Sequence, residues 1–305
     1  MIYDASKVLA IYFELLIFFG VRMKSVLAVI KDFKADSVLL AKAIRLSPDR
    51  LCVMLIRPEG DEDTDEQLSD QVTQYLDKQH LFKQSISLDI IFSDESNELG
   101  LADLLVRVAE TYSSDLIMLM KPEIADNMEG LVLVKHLLRH ASNVKICLTR
   151  QKLWSEQVQL MCAIDIESDN DAQRALDEKV LQYANGELRG ILAADLHLAS
   201  VIANSRISDE LDLIEPIRVL EKKGKAIKDK LLAFEQNNAV TDSIIHIAAG
   251  LPYKEIPSLV KKKNIDILVL GNVGRKGLKG LVIGNTAEKI IKNLSSDIIV
   301  INALQ

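Results

Sequence analysis

Positive charge is in short supply. The chain carries 37 Lys and Arg against 44 Asp and Glu, a formal net charge of −7. It therefore lacks the basic face of proteins that neutralise nucleic-acid phosphates. Cysteine is also scarce: Cys52, Cys147 and Cys162 each sit inside an apolar, strand-like run, and none forms a CxxC pair. They read as small buried hydrophobes in a reducing compartment. Long apolar runs are missing too. The tract formed by residues 8–13 and 15–21 is interrupted by Glu14, which makes it too short and too charged for a membrane span. No Ala-x-Ala cleavage signal follows it, so residues 1–22 read as an N-terminal extension. Neither a Ser-His-Asp nor a Cys-His spacing stands out, and no P-loop lysine precedes a Ser or Thr, so nucleophilic catalysis has no support. His136 and His140 lie one helical turn apart, but no third ligand accompanies them as a zinc site would require.

What is present is a regular alternation. In 305 residues, 49% apolar and 27% charged, there is room for two ordinary domains. From Met23 onward, continuous apolar runs at 25–30, 51–56, 88–92, 116–120 and 144–148 read as strands covered on both faces. Helical spacing at 35–46, 66–83, 101–112 and 132–140 separates them. The pattern then repeats, with strands at 158–164, 189–196, 243–248, 265–270 and 298–301. Its helices are expected at 172–184, over most of 208–236 with Pro216 near a start or break, at 253–263 and at 287–294. Such an internal repeat predicts an α/β fold of two tandem domains, residues 23–152 and 153–305, each a five-stranded, mostly parallel sheet with helices on both faces. Trp154 marks the joint and is expected to pack between the halves.

One stretch concentrates chemistry. Gly271-Asn272-Val273-Gly274, nine further residues, and Gly284-Asn285-Thr286-Ala287-Glu288 link an apolar strand to a helix. Glycines let the backbone approach an anion closely, and the free N–H groups and dipole of a helix N-terminus favour negative charge. Arg275, Lys276 and Lys279 in the loop would suit a polyphosphate, or simply form a solvated loop. Asp165 ends the second unit's first strand, where ligands of open α/β sheets bind. It would contact the ligand or cap the following helix. Asn285 is expected to cap the last helix, with Glu288 completing a capping-box arrangement.

The spacing Gly271-x2-Gly274-x9-Gly284, followed by a short polar residue, resembles the nucleotide motif of the universal stress protein family. Two tandem copies extend this resemblance over nearly the whole chain, which is most like the E-type members. It implies flavodoxin-like (adenine nucleotide α-hydrolase-like) domains and a cytoplasmic, non-catalytic stress-response regulator binding ATP or a related adenine nucleotide, with Mg2+ as an optional companion. The family's binding residues would be Asp165 by the adenosine, with Gly271, Val273, Gly274, Gly284, Asn285 and Thr286 around the phosphates. Family members usually place Ser or Thr where this chain has Asn285, so a nucleotide-independent interaction scaffold stands as the alternative and a slow ATPase as a third reading. In the first unit, Lys31 replaces the aspartate, and Met120-Lys121-Pro122-Glu123, with only Gly130 beyond, replaces the glycine loop. That half is expected to supply structure and a surface for regulatory protein partners. The resemblance further implies antiparallel pairing of the two last strands, with homodimerisation open. Neither nucleic acid nor membrane is an expected partner.

Overall fold

The computed structural model describes residues 23–57, 64–78, 86–95, 97–122, 131–141, 143–203, 214–273 and 284–303. The N-terminal extension and Gly130, Gly274, Arg275, Lys276 and Lys279 lie outside the described residues. Side chains such as those of Ser-Val-Leu-Ala-Val-Ile in β1 (Ser25–Ile30) are buried at every position, which only a sheet covered on both faces provides. The first half continues through α1 (Phe33–Arg45), β2 (Arg50–Ile56), α2 (Asp65–Lys78), β3 (Ser87–Ser93), α3 (Glu98–Thr111), β4 (Leu116–Met120), α4 (Val132–His140) and β5 (Lys145–Thr149). The second runs through β6 (Gln159–Ala163), α5 (Asp171–Gln182), α6 (Arg189–Leu192), β7 (Asp195–Ala203), α7 (Ile214–Asn237), β8 (Ile244–Gly250), α8 (Pro252–Lys262), β9 (Ile267–Asn272), α9 (Asn285–Asn293) and β10 (Asp297–Asn302).

The ten described strands form one sheet in the order β3-β2-β1-β4-β5-β10-β9-β6-β7-β8. Pairing within each half is parallel, and β5 meets β10 antiparallel with Ile299 opposite Cys147. The strand order reverses between β1 and β4 and between β6 and β9, which opens a crevice at each place. The apolar core lies in two layers, one on each face of the sheet, and both contain residues from both halves. Fully burying one such Leu, Ile or Val stabilises by about 1.5–3 kcal/mol.

Polar contacts reinforce the seam. The fully buried Lys42 of α1 donates to Asp297 Oδ2 at 2.7 Å and to the Arg150 carbonyl at 2.7 Å. Asp297 also accepts from Arg150 N and from Trp154 Nε1, each at 2.8 Å. Burial pushes the Asp297 carboxyl up, and these donors oppose the shift. Trp154 is thus buried at the joint, as its position suggested.

Two sequence expectations are corrected. Residues 189–196 do not form the second unit's second strand: α5 continues through a π-helical turn (Tyr183–Leu188) into α6, and the strand is β7 at Asp195–Ala203. The buried Leu188, Ile191 and Leu192 follow helical spacing, and Ala193 ends the helix in the left-handed region (φ 49°, ψ 43°). The last helix starts at Asn285, with Gly284 at the cap position and no side-chain cap. Glu288 does not close a capping box. Its N–H donates to the Gly284 carbonyl, and its carboxylate pairs with Lys135 at 3.0 Å.

Candidate functional site

At the crevice between β6 and β9 the chain encloses a cavity of about 430 Å³. The C-terminal end of β6 brings Asp165 to it, β9 brings Gly271, Asn272 and Val273, and the first turn of α9 brings Gly284 and Thr286. Val201, Pro252 and Ile256 give it an apolar wall. Five of the seven expected site residues therefore share one cavity. Asn285 is exposed and does not line it, whereas Thr286 does. Gly274 lies outside the described residues.

The two described loop glycines differ in physical role. A Cβ on Gly271 would lie 2.6 Å from Leu176 Cγ, so close packing of β9 against α5 demands glycine there. Gly284 has an ordinary φ of −65°, and a Cβ on it would meet no described residue within 4 Å. Neither strain nor packing against the described residues explains that glycine. It leaves open space beside the N-terminus of α9, where backbone N–H groups and the helix dipole favour an anion.

Asp165 stands exposed at the cavity mouth. Partial desolvation and then repulsion from Glu167 push its carboxyl above the usual carboxylate range. It does not cap α5; Asn170 does, its Oδ1 accepting from Ala172 N at 2.9 Å. The Asp165 N–H donates to Asp177 Oδ2 at 3.2 Å, and Gln173 Nε2 donates to Asp177 Oδ1 at 2.9 Å. Asp177 is only 3% exposed, and burial pushes its carboxyl up to about 7.

The sequence reading missed Asn272. Buried at 1% exposure, it accepts from Gly284 N at 3.2 Å and donates to Asn302 Oδ1 at 3.0 Å. Asn302 in turn donates to the Leu138 carbonyl of α4 in the first half, at 3.0 Å. A signal was available: both apolar strands end in asparagine, and the parallel register sets Asn272 beside Asn302.

Burial pushes the Cys52 thiol up to about 12 and raises Cys147 and Cys162 as well, so all three stay protonated. His136 contacts Asp103 at 2.6 Å and lies against His140 with ring centroids 4.3 Å apart. Among the described residues no group of three or more His, Cys, Asp or Glu side chains is placed to hold a metal ion. No described helix is long and apolar enough to cross a membrane.

A doubly covered, mostly parallel sheet with a helix N-terminus at its switch point defines the class: an α/β protein of two similar, doubly wound halves. Residues 159–302, just under half of the chain, match the model of the Universal stress protein family. The chain is similar to Universal stress protein E of Salmonella typhi, 26% identical over 208 residues, which cover 65% of this chain and 64% of the relative. The match thus spans somewhat less than two thirds of that relative's length. Among solved structures, a functionally unknown protein from Pseudomonas aeruginosa PAO1 superposes with a TM-score of 0.68 at 19% identity, covering 92% of each chain. A universal stress protein from Archaeoglobus fulgidus has a TM-score of 0.55 at 13% identity, covering 92% of this chain and 97% of the other. At these identities the structural likeness speaks for the fold.

Proposed function

We propose that the second half binds ATP or a related adenine nucleotide, and that the protein is a non-catalytic, cytoplasmic stress-response regulator whose first half has lost the corresponding site. The observation that carries this reading is the cavity that Gly284, where α9 begins, shares with Asp165, Gly271, Val273 and Thr286, no described residue filling the place of its missing Cβ. A volume of about 430 Å³ falls in the range of small-ligand pockets. Phosphates would lie against the first turn of α9, with the Thr286 hydroxyl supplying the donor that family members place one residue earlier. The adenosine would lie toward Asp165 and the apolar wall. With no carboxylate cluster on the described chain to hold it, Mg2+ would be bound chiefly by the nucleotide's own phosphates.

Calorimetric titration tests the reading. Saturable ATP binding without phosphate release over hours in the presence of Mg2+ supports it. A flat titration to millimolar ATP favours the interaction scaffold. Steady phosphate release would establish a slow ATPase instead.

A further inference from the structure

A second cavity, of about 570 Å³, lies at the seam between the halves. Its wall comes from the ends of β4 and β5 (Met120, Lys121, Pro122, Thr149, Arg150) and from Lys292 at the end of α9. Three cations converge there, and Asp36 is the single carboxylate among the described lining residues. The Asp36 Oδ2 is already taken, accepting the N–H groups of Lys31 and Asp32 at 2.8 and 3.1 Å.

Lys121 and Arg150 are fixed without being neutralised. Lys121 Nζ donates to the carbonyls of Leu294 at 2.9 Å and Lys292 at 3.4 Å, and Arg150 Nη1 donates to Leu294 O at 3.2 Å. These acceptors are uncharged, and neither cation pairs with a carboxylate among the described residues. The result is a pair of preorganised cations, Lys121 and Arg150, that no described carboxylate neutralises, on a chain whose formal charge is −7. Burial, and then repulsion from Arg150, push Lys121 down to about 8, the direction expected of a cation lacking a counter-charge.

We infer that this seam cavity is a binding site for a small polyvalent oxyanion, a polyphosphate or a polycarboxylate, held by Lys121 and Arg150 from the first half and Lys292 from the second. The site is separate from the nucleotide cavity and does not depend on it. A charged oxyanion gains most where its partners are already positioned and partly desolvated. The replacement of a glycine loop by Met120-Lys121-Pro122 then acquires a purpose: it exchanges backbone N–H donors for side-chain cations. Because α9 carries Gly284 at its cap and Lys292 in its last turn, an anion at the seam would bridge the halves at the far end of the helix that borders the nucleotide cavity.

The test is calorimetric titration of the full chain with inorganic pyrophosphate and, separately, with citrate. At least one should bind saturably and more weakly as salt rises. Its affinity should fall at least fivefold in both Lys121→Gln and Lys292→Gln, and stay unchanged in Lys228→Gln, an exposed lysine of α7 outside both cavities. Gln at 121 keeps a donor for the Leu294 carbonyl, and urea denaturation of each variant confirms that the fold survives. Pyrophosphate binding alone identifies a phosphate ligand, and citrate binding alone a polycarboxylate. Absence of binding by both probes at millimolar concentration overturns the inference. So does equal affinity in wild type and both seam-lysine variants, or an equal loss in Lys228→Gln.

Discussion

Serine in place of Gly284 separates a glycine kept for a ligand from one kept for packing. Gly284 occupies the cap position of α9 with φ −65° and ψ 141°, the extended geometry in which Ser caps well, and α9 has no side-chain cap. A Cβ there meets nothing within 4 Å among the described residues. Capping adds a few tenths of a kcal/mol relative to glycine, and the stiffer unfolded chain adds about 0.4–1 kcal/mol. The nucleotide-free protein should therefore gain about 1 kcal/mol. Gly271→Ala should do the reverse. Its new Cβ would lie 2.6 Å from Leu176 Cγ, and Leu176 is 1% exposed with no room to withdraw. Such overpacking costs about 1–3 kcal/mol. Urea denaturation of the two variants without nucleotide, beside wild type, measures both. Loss of more than about 1 kcal/mol in Gly284→Ser would refute the assignment of open space. A Gly271→Ala protein as stable as wild type would refute the packing argument.

Other outcomes follow from the same geometry. Lys42→Met strands the buried Asp297 carboxylate with only Trp154 and a backbone N–H, and should cost about 3–5 kcal/mol; a loss below about 1 kcal/mol in urea would contradict the seam's polar account. The Asp177 carboxyl rises from 3.8 to about 7 on folding, so between these values the unfolded chain binds fewer protons than the native one and stability falls as pH rises. Asp177→Asn should flatten that slope between about pH 4 and 7 in denaturation measured across pH, and an unchanged slope would reassign it to another group. Thr286→Val should weaken ATP binding while Asn285→Ala leaves it unchanged, because only Thr286 lines the cavity; the opposite ranking by calorimetry would restore Asn285 as a site residue.

Much of the fold was legible because the sheet is covered on both faces, which turns each strand into an unbroken apolar run. Such runs become ambiguous where helix and strand are both apolar. Residues 189–196 were misread because buried Ile191 and Leu192 belong to a helix that a π-helical turn carries past its apparent end. The site glycines announced themselves by spacing, but their separate reasons did not. Gly271 answers to Leu176, which is 95 positions earlier in the chain and visible only after folding. The asparagine pair at 272 and 302 likewise depends on β9–β10 register. The seam cations were hidden for a further reason: Lys121, Arg150 and Lys292 come from separate segments of both halves, and no local motif joins them.

Native mass spectrometry of the purified chain mixed with ATP addresses the central claim most directly. The account predicts one adenine nucleotide retained by the wild-type chain and none by Gly284→Ser under the same conditions. A wild-type chain that retains no nucleotide, or a Gly284→Ser chain that retains it equally, would contradict that claim.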